Sequence, residues 1–309
     1  MALLLRALAA GARAAPRRLA LKLGDCLGRA AYALMKGARS QAARNLALVF
    51  GERPRRERAR IARDCFRYFG RSLVETLRLP AMTAGDLAAC VRADSFAPVE
   101  RVLARGKGLI VLSAHMGAWE VLAAYLAARL GRPFHAMGAR IYYGPYNDLL
   151  VGIRRACGVE TVYRDDGVRT SLRVLRDGRA LGILADQDNS SSGGVFVEFL
   201  GRPTWTPLGP AALARSSGAG MVPIVIAWER HSHRVHVLPE VELVKSEDRR
   251  ADLVENTRRW VRAIEAAIRR HPAQWAWFHR SWRGSVEAPA RRVIRGNEGG
   301  NPEGRSELA

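Results

Sequence analysis

Apolar residues recur along the chain with two different periods. Ile61, Cys65, Phe69, Leu73 and Leu77 follow at steps of four, and Leu253, Thr257, Trp260, Ile264 and Ile268 at steps of three or four. Both spacings place apolar side chains on one face of a helix, which predicts helices over 55–79 and around 253–268. Pro80 ends the first of them. Between these helices, short apolar runs alternate with helical stretches. Strands are predicted near 108–113, 133–136, 159–162 and 180–184, and helices near 118–130, 146–157 and 168–177. Alternation of this kind implies an α/β fold: a mixed, largely parallel sheet flanked by helices. Beyond it come a Gly/Ser-rich loop over 186–194, an apolar run at 195–199 and a helix over 207–217. A hairpin of Met221 to Trp228 with Arg234 to Leu238 closes the sheet. Trp205, Trp275, Trp277 and Trp282 read as core packing.

The first 38 residues follow a different pattern. Pro16 separates a short helix from a longer one over about 17–38. Leu19, Leu21, Leu23, Leu27, Tyr32 and Leu34 alternate there with Arg and Lys. No apolar run reaches the roughly 18 residues of a spanning helix, and Arg6 and Arg13 interrupt any signal-peptide core. A basic amphipathic helix lying in a membrane interface fits the pattern. An ordinary basic helical surface is the competing reading. Residues 1–38 are therefore expected to form a membrane-attachment segment and 39–283 the α/β domain. Residues 284–309, rich in Gly, Pro, Asn, Glu and Arg, are expected to form a disordered tail.

Charge sharpens this picture. The formal net charge is +21, and residues 1–79 hold 18 basic against 5 acidic side chains. Such a segment suits an anionic membrane surface or nucleic acid. Only Tyr32 and Phe50 supply aromatic rings in the first 60 residues, too few for the stacking platform of a single-strand binder. Cys26, Cys65, Cys90 and Cys157 have no paired spacing, so no disulfide framework is expected. His231, His233 and His236 lack a second ligand pair, so no metal site is expected.

The candidate chemistry lies where the 108–113 strand gives way to the 118–130 helix, at His115-Met116-Gly117-Ala118-Trp119-Glu120. Ligands of α/β folds bind at the carboxyl ends of strands. A histidine there can take the proton of a hydroxyl, and a carboxylate can fix its tautomer and stabilise the imidazolium. His115 is the candidate base and Glu120 the candidate carboxylate. On a regular helix their spacing turns the side chains roughly 140° apart, so the pair requires His115 in the turn and Glu120 in the first helical turn. A hydrogen-bonded structural histidine is the alternative.

Several separated stretches point the same way. They are Asn45-Leu46 with Phe50; Ser113 to Glu120; Arg154; Arg164; Ala185-Asp186-Gln187-Asp188; Val195 to Pro203; and Gln274 to Arg280. Taken in order, they resemble the bacterial lipid A biosynthesis (late, lauroyl/myristoyl) acyltransferase family, over about residues 16–283. The resemblance implies a fold like that of glycerol-3-phosphate acyltransferases, membrane attachment through the N-terminus, and transfer of an acyl group to a hydroxyl of a lipid A-type glycolipid. The donor it implies is an acyl-carrier-protein or coenzyme A thioester, a co-substrate; no cofactor is expected. His115 and Glu120 match the family's catalytic pair, while Arg154, Arg164, Asp186 and Asp188 match its substrate-binding positions. The arginines would then meet phosphates of acceptor or donor. The place implied is the cytoplasmic face of a bacterial inner membrane, peripheral or singly anchored. An acyltransferase for another polar lipid, such as a phosphatidylinositol mannoside, and a non-catalytic basic membrane-binding protein are the alternatives.

Overall fold

The computed structural model describes residues 9–164, 167–187, 193–279 and 281–282. Asp188 and the tail over 284–309 lie outside these residues. The helices are α1 (9–14), α2 (Arg17–Leu34), α3 (Lys36–Val49), α4 (Arg55–Arg78), α5 (Ala84–Cys90), α6 (Ala97–Ala104), α7 (Trp119–Leu130), α8 (Gly144–Ala156), α9 (Gly167–Arg176), α10 (Gly209–Ser217) and α11 (Arg249–Arg270). The strands are β1 (Val91–Ala93), β2 (Leu109–Ser113), β3 (Phe134–Gly138), β4 (Val159–Tyr163), β5 (Ala180–Leu184), β6 (Gly194–Phe199), β7 (Arg202–Pro207), β8 (Gly220–Glu229) and β9 (Ser232–Val237).

Seven strands form one sheet in the order β1-β9-β8-β2-β5-β3-β4, and β6 and β7 form a separate antiparallel ribbon. Every pairing in the large sheet is parallel except β8 with β9. The sheet is thus largely parallel, as the alternating pattern predicts. β2 is buried at all five positions and apolar at all but its terminal Ser113, because helices cover both faces of the sheet. Ile110 and Leu112 join a core with α4 and α11, while Leu109 and Val111 join a second core with α7 on the other face.

The N-terminal helices depart from the expected single stretch over 17–38. α2 stops at Leu34, Met35 leaves helical geometry, and Arg39 donates to the freed carbonyls of Tyr32 and Ala33. α3 then continues to Val49 and buries Ala42, Asn45 and Leu46 in the main core. Across 38/39 the chain is therefore one continuous helix. α2 lies tightly against α4 because glycines remove the side chains between them. A Cβ on Gly28 would stand 2.3 Å from the Phe66 carbonyl oxygen, and one on Gly70 would stand 2.1 Å from that of Gly24. The opposite face of α2 leaves Leu19, Leu23 and Leu27 exposed among Arg18, Lys22 and Arg29. No described helix is long and apolar enough to cross a membrane.

Candidate active site

The centre of the sheet dictates the centre of the site. In the parallel pair β2–β5, Ser113 lies opposite Leu184. His115 and Asp186 each follow two residues later, so equal overshoot of two adjacent strands brings them together. His115 Nδ1 lies 2.7 Å from Asp186 Oδ1, and the His115 backbone N–H donates to Asp186 Oδ2 at 2.9 Å. Trp275 Nε1 donates to the same Oδ2 at 2.7 Å. The Asp186 side chain is 1% exposed and that of His115 23%. Burial alone would raise the Asp186 pKa. The His115 charge and the hydrogen bonds from His115 and Trp275 outweigh it and hold the carboxyl below its ordinary value. Nδ1 of His115 is thereby committed to Asp186, leaving Nε2 as its free nitrogen.

Glu120, expected to partner His115, does something else. It sits in the first turn of α7, as the pair would need, but the helix turns its carboxylate away toward α8. There Arg154 Nε and Nη2 donate to Glu120 Oε2 and Oε1 at 2.8 and 2.6 Å, a bidentate pair with side chains 11% and 7% exposed. Arg154 Nη1 also reaches Thr161 Oγ1 at 3.3 Å. The His115–Glu120 pairing is therefore corrected to His115–Asp186. The Arg154 fork is engaged by Glu120. Arg164 is exposed just past the carboxyl end of β4.

The turn carrying His115 is built for one shape. Gly117 has φ of 57°, and a Cβ there would stand 2.1 Å from the Ile226 carbonyl oxygen. Its N–H donates to the Gln274 carbonyl at 2.9 Å, and its own carbonyl accepts from Ser72 Oγ at 2.8 Å. The Ala276 N–H donates to the His115 carbonyl at 3.1 Å. Trp275 and Trp277 are 1% and 0% exposed, so the core reading of these rings holds. They lie in a loop bridged to Met116 instead of a strand. His279 ends this loop with its ring 5.6 Å from that of His115, while Trp119 packs on His115 at 5.5 Å. Sequence reasoning gave His279, Gln187 and Trp275 no role at the site. The only signal was their place in stretches that resemble the family.

Two hollows flank the dyad on opposite faces of the sheet. One lies between the sheet and α7, lined by Val111, Leu122, Leu126, Phe134 and Ile183, and by Trp119 and the Glu120–Arg154 pair. The other lies beside Asp186 and Gln187 against Thr204, Trp205 and α11. His233, from the histidine cluster, is fully buried and bonds Glu75, while His236 bonds Asp94. Among the described residues no three His, Cys, Asp or Glu side chains converge as a metal site.

A carboxylate-oriented histidine at the carboxyl edge of a largely parallel sheet, with an apolar hollow beside it, defines an α/β enzyme equipped to activate a hydroxyl. The chain belongs to the bacterial lipid A biosynthesis acyltransferase family, whose model matches residues 2–284. It is 28% identical over 257 residues to a phosphatidylinositol mannoside acyltransferase of Mycolicibacterium smegmatis, covering 82% of each chain. It is 25% identical over 268 residues to the lipid A biosynthesis palmitoleoyltransferase of Escherichia coli, covering 84% of each. With the lauroyltransferase of the same organism it shares 24% over 272 residues, 85% of this chain and 84% of that one. The protein is an acyltransferase, and its family implies an acyl donor and a lipid acceptor.

Proposed function

We propose that the protein moves a fatty acyl group from a thioester of acyl carrier protein or coenzyme A to a hydroxyl of a lipid A-type glycolipid. The observation that carries this reading is the His115–Asp186 pair at the junction of β2 and β5. His115 Nε2 takes the acceptor proton as its oxygen attacks the thioester carbonyl. Asp186 holds the tautomer and stabilises the imidazolium. The acyl chain lies in the apolar hollow beneath α7. Arg164, exposed at the same edge of the sheet, meets phosphate of the acceptor or the donor. The exposed Leu19-Leu23-Leu27 stripe, set among basic residues, lays α2 on the anionic cytoplasmic face of the inner membrane. The mannoside reading rests on a specific observation too, the 28% identity to an enzyme of that name.

The test is direct. Purified protein is given palmitoyl-CoA or palmitoyl-acyl carrier protein, with either a lipid A precursor or a phosphatidylinositol mannoside in mixed micelles. Mass spectrometry of the lipids reads the product. A new ester on the lipid A precursor supports the reading, an ester on the mannoside alone selects the second, and free fatty acid alone contradicts both.

A further inference from the structure

The acyl-transfer step has a requirement that the groups above leave unmet. Attack on a thioester carbonyl places negative charge on its oxygen, which needs a donor aimed at it. The Gly117 N–H is engaged by Gln274, the Met116 N–H by Ala114, and the Arg154 fork by Glu120. His115 directs Nδ1 to Asp186 and Nε2 to the acceptor hydroxyl. Two half-buried polar rings pack against His115, those of Trp119 and His279, and His279 is the one that also meets Gln187, the residue after Asp186.

Its placement is over-determined. Asn45 Nδ2 donates to the carbonyls of Trp277 and His279, at 2.8 Å each, and so fixes the backbone that carries the ring. Phe278 packs beside it at 5.2 Å. The amide nitrogen of Gln187, one residue past Asp186, lies 2.9 Å from His279 Nε2. With the amide nitrogen of Gln187 assigned to this side, it donates, Nε2 accepts and the ring proton is placed on Nδ1. Among the described residues Nδ1 has no acceptor. Burial, followed by the neighbouring His115, pushes the His279 pKa down to about 4. The ring is therefore uncharged at neutral pH and adds no positive charge against a protonated His115.

We propose that His279 is a second catalytic imidazole, whose Nδ1–H donates to the acyl oxygen as that oxygen becomes an oxyanion. The proposal rests on the acyl-transfer reading. As the acceptor O–H proton moves to His115 Nε2, the new C–O bond forms and the carbonyl π pair moves onto the oxygen facing His279. Collapse restores the carbonyl and breaks the C–S bond, and the departing thiolate takes the proton back from His115. A neutral imidazole suits this place because it donates a hydrogen bond without competing for the hydroxyl proton.

Three variants of the full-length protein test it, with palmitoyl-CoA and whichever of the two acceptors wild type acylates. His279→Phe keeps the ring contact and removes the donor. Its kcat should fall by about 10²–10³-fold, the loss typical of one oxyanion donor, with KM for both substrates within a few-fold of wild type. In His279→Asn the side-chain amide nitrogen occupies the place of Nδ1, so kcat should recover by at least about tenfold over His279→Phe. In His279→Gln the amide reaches instead to the place of Nε2 and should not restore activity. A His279→Phe enzyme within threefold of wild type overturns the proposal alone. So do equal recovery by Asn and Gln and a loss confined to KM. Wild type that acylates neither acceptor overturns the function itself, and this proposal with it.

Discussion

At the scale of single residues, the site is a set of side chains whose protonation is fixed by what lies against them. Asp186 is held below its ordinary pKa by His115 and Trp275 despite burial, so it adds stability above its unfolded value that is lost as pH falls through its folded value. His279 works in the same direction by another route. Its pKa falls from 6.5 to about 4, so the unfolded chain binds a proton that the folded one refuses, and stability drops as pH is lowered across that interval. The drop is on the order of 3 kcal/mol. His279→Asn should be measurably less acid-sensitive than wild type between those values in urea melts followed by fluorescence. An equal loss in both proteins would show that His279 titrates freely. Cys65, buried and pushed up to about 12, should resist iodoacetamide in the native state while exposed Cys26 reacts, as peptide mass mapping would show. His115 was legible in the sequence because a histidine at a strand end has few neighbours to be explained by. Its partner was not. Glu120 is five residues away along the chain, whereas Asp186 is 71 residues away and is brought in by strand order.

Element packing shows where periodicity is informative and where it stops. β2, β3, β4 and β5 form within a residue or two of their predicted bounds, β2 and β5 because central parallel strands are almost wholly apolar. Periodicity did not reveal β1, β7, α5 or α6, which are short and carry little repeating pattern. Strand order was equally hidden, since β2 takes β8 and β5 as neighbours and neither is next in sequence. The contact between α2 and α4 depends on glycine at Gly24, Gly28 and Gly70. Gly28→Val would drive a branched side chain into the α4 backbone. It should cost about 1–3 kcal/mol as overpacking, seen as a lowered midpoint in thermal denaturation. An unchanged midpoint would mean that the helices are free to separate. In the hollow under α7, Ala123 lines the wall. Ala123→Phe should shift acyl preference toward shorter chains in a competition assay with mixed palmitoyl- and lauroyl-CoA, and an unchanged product ratio would place the chain elsewhere.

For the whole molecule, positive charge is concentrated towards the N-terminus, where exposed leucines lie within it. Residues 1–79 carry 18 basic and 5 acidic side chains, and α2 exposes leucines within that field. Binding to vesicles containing anionic lipid should therefore weaken as salt rises, because surface charge is screened over a Debye length of about 8 Å at physiological ionic strength. Leu23→Ser with Leu27→Ser should weaken it further at fixed salt. Sedimentation with vesicles reads both effects, and binding that ignores salt and both substitutions would remove α2 from the membrane contact. The family was legible from the order of unspecific stretches along the chain. The acceptor was not, because relatives named for two different glycolipids match at comparable identity.

Turnover by Asp186→Asn and Glu120→Gln, measured side by side with their melting temperatures, tests the central claim most directly. Asparagine keeps the shape of Asp186 but presents an N–H to Nδ1 of His115, which forces the proton onto Nε2 and leaves no base. Its kcat should fall by about 10³–10⁴-fold at temperatures where the variant is still fully folded, and its melting temperature should drop because the stabilising charge of Asp186 is gone. Glu120→Gln removes one partner of a buried ion pair and should chiefly lower stability, by up to about 3–5 kcal/mol, while folded enzyme keeps most of its turnover. If Asp186→Asn keeps more than about a tenth of wild-type kcat, less than the contribution of a general base, while Glu120→Gln abolishes turnover in a stably folded protein, His115 is served by Glu120 and the His115–Asp186 dyad is wrong.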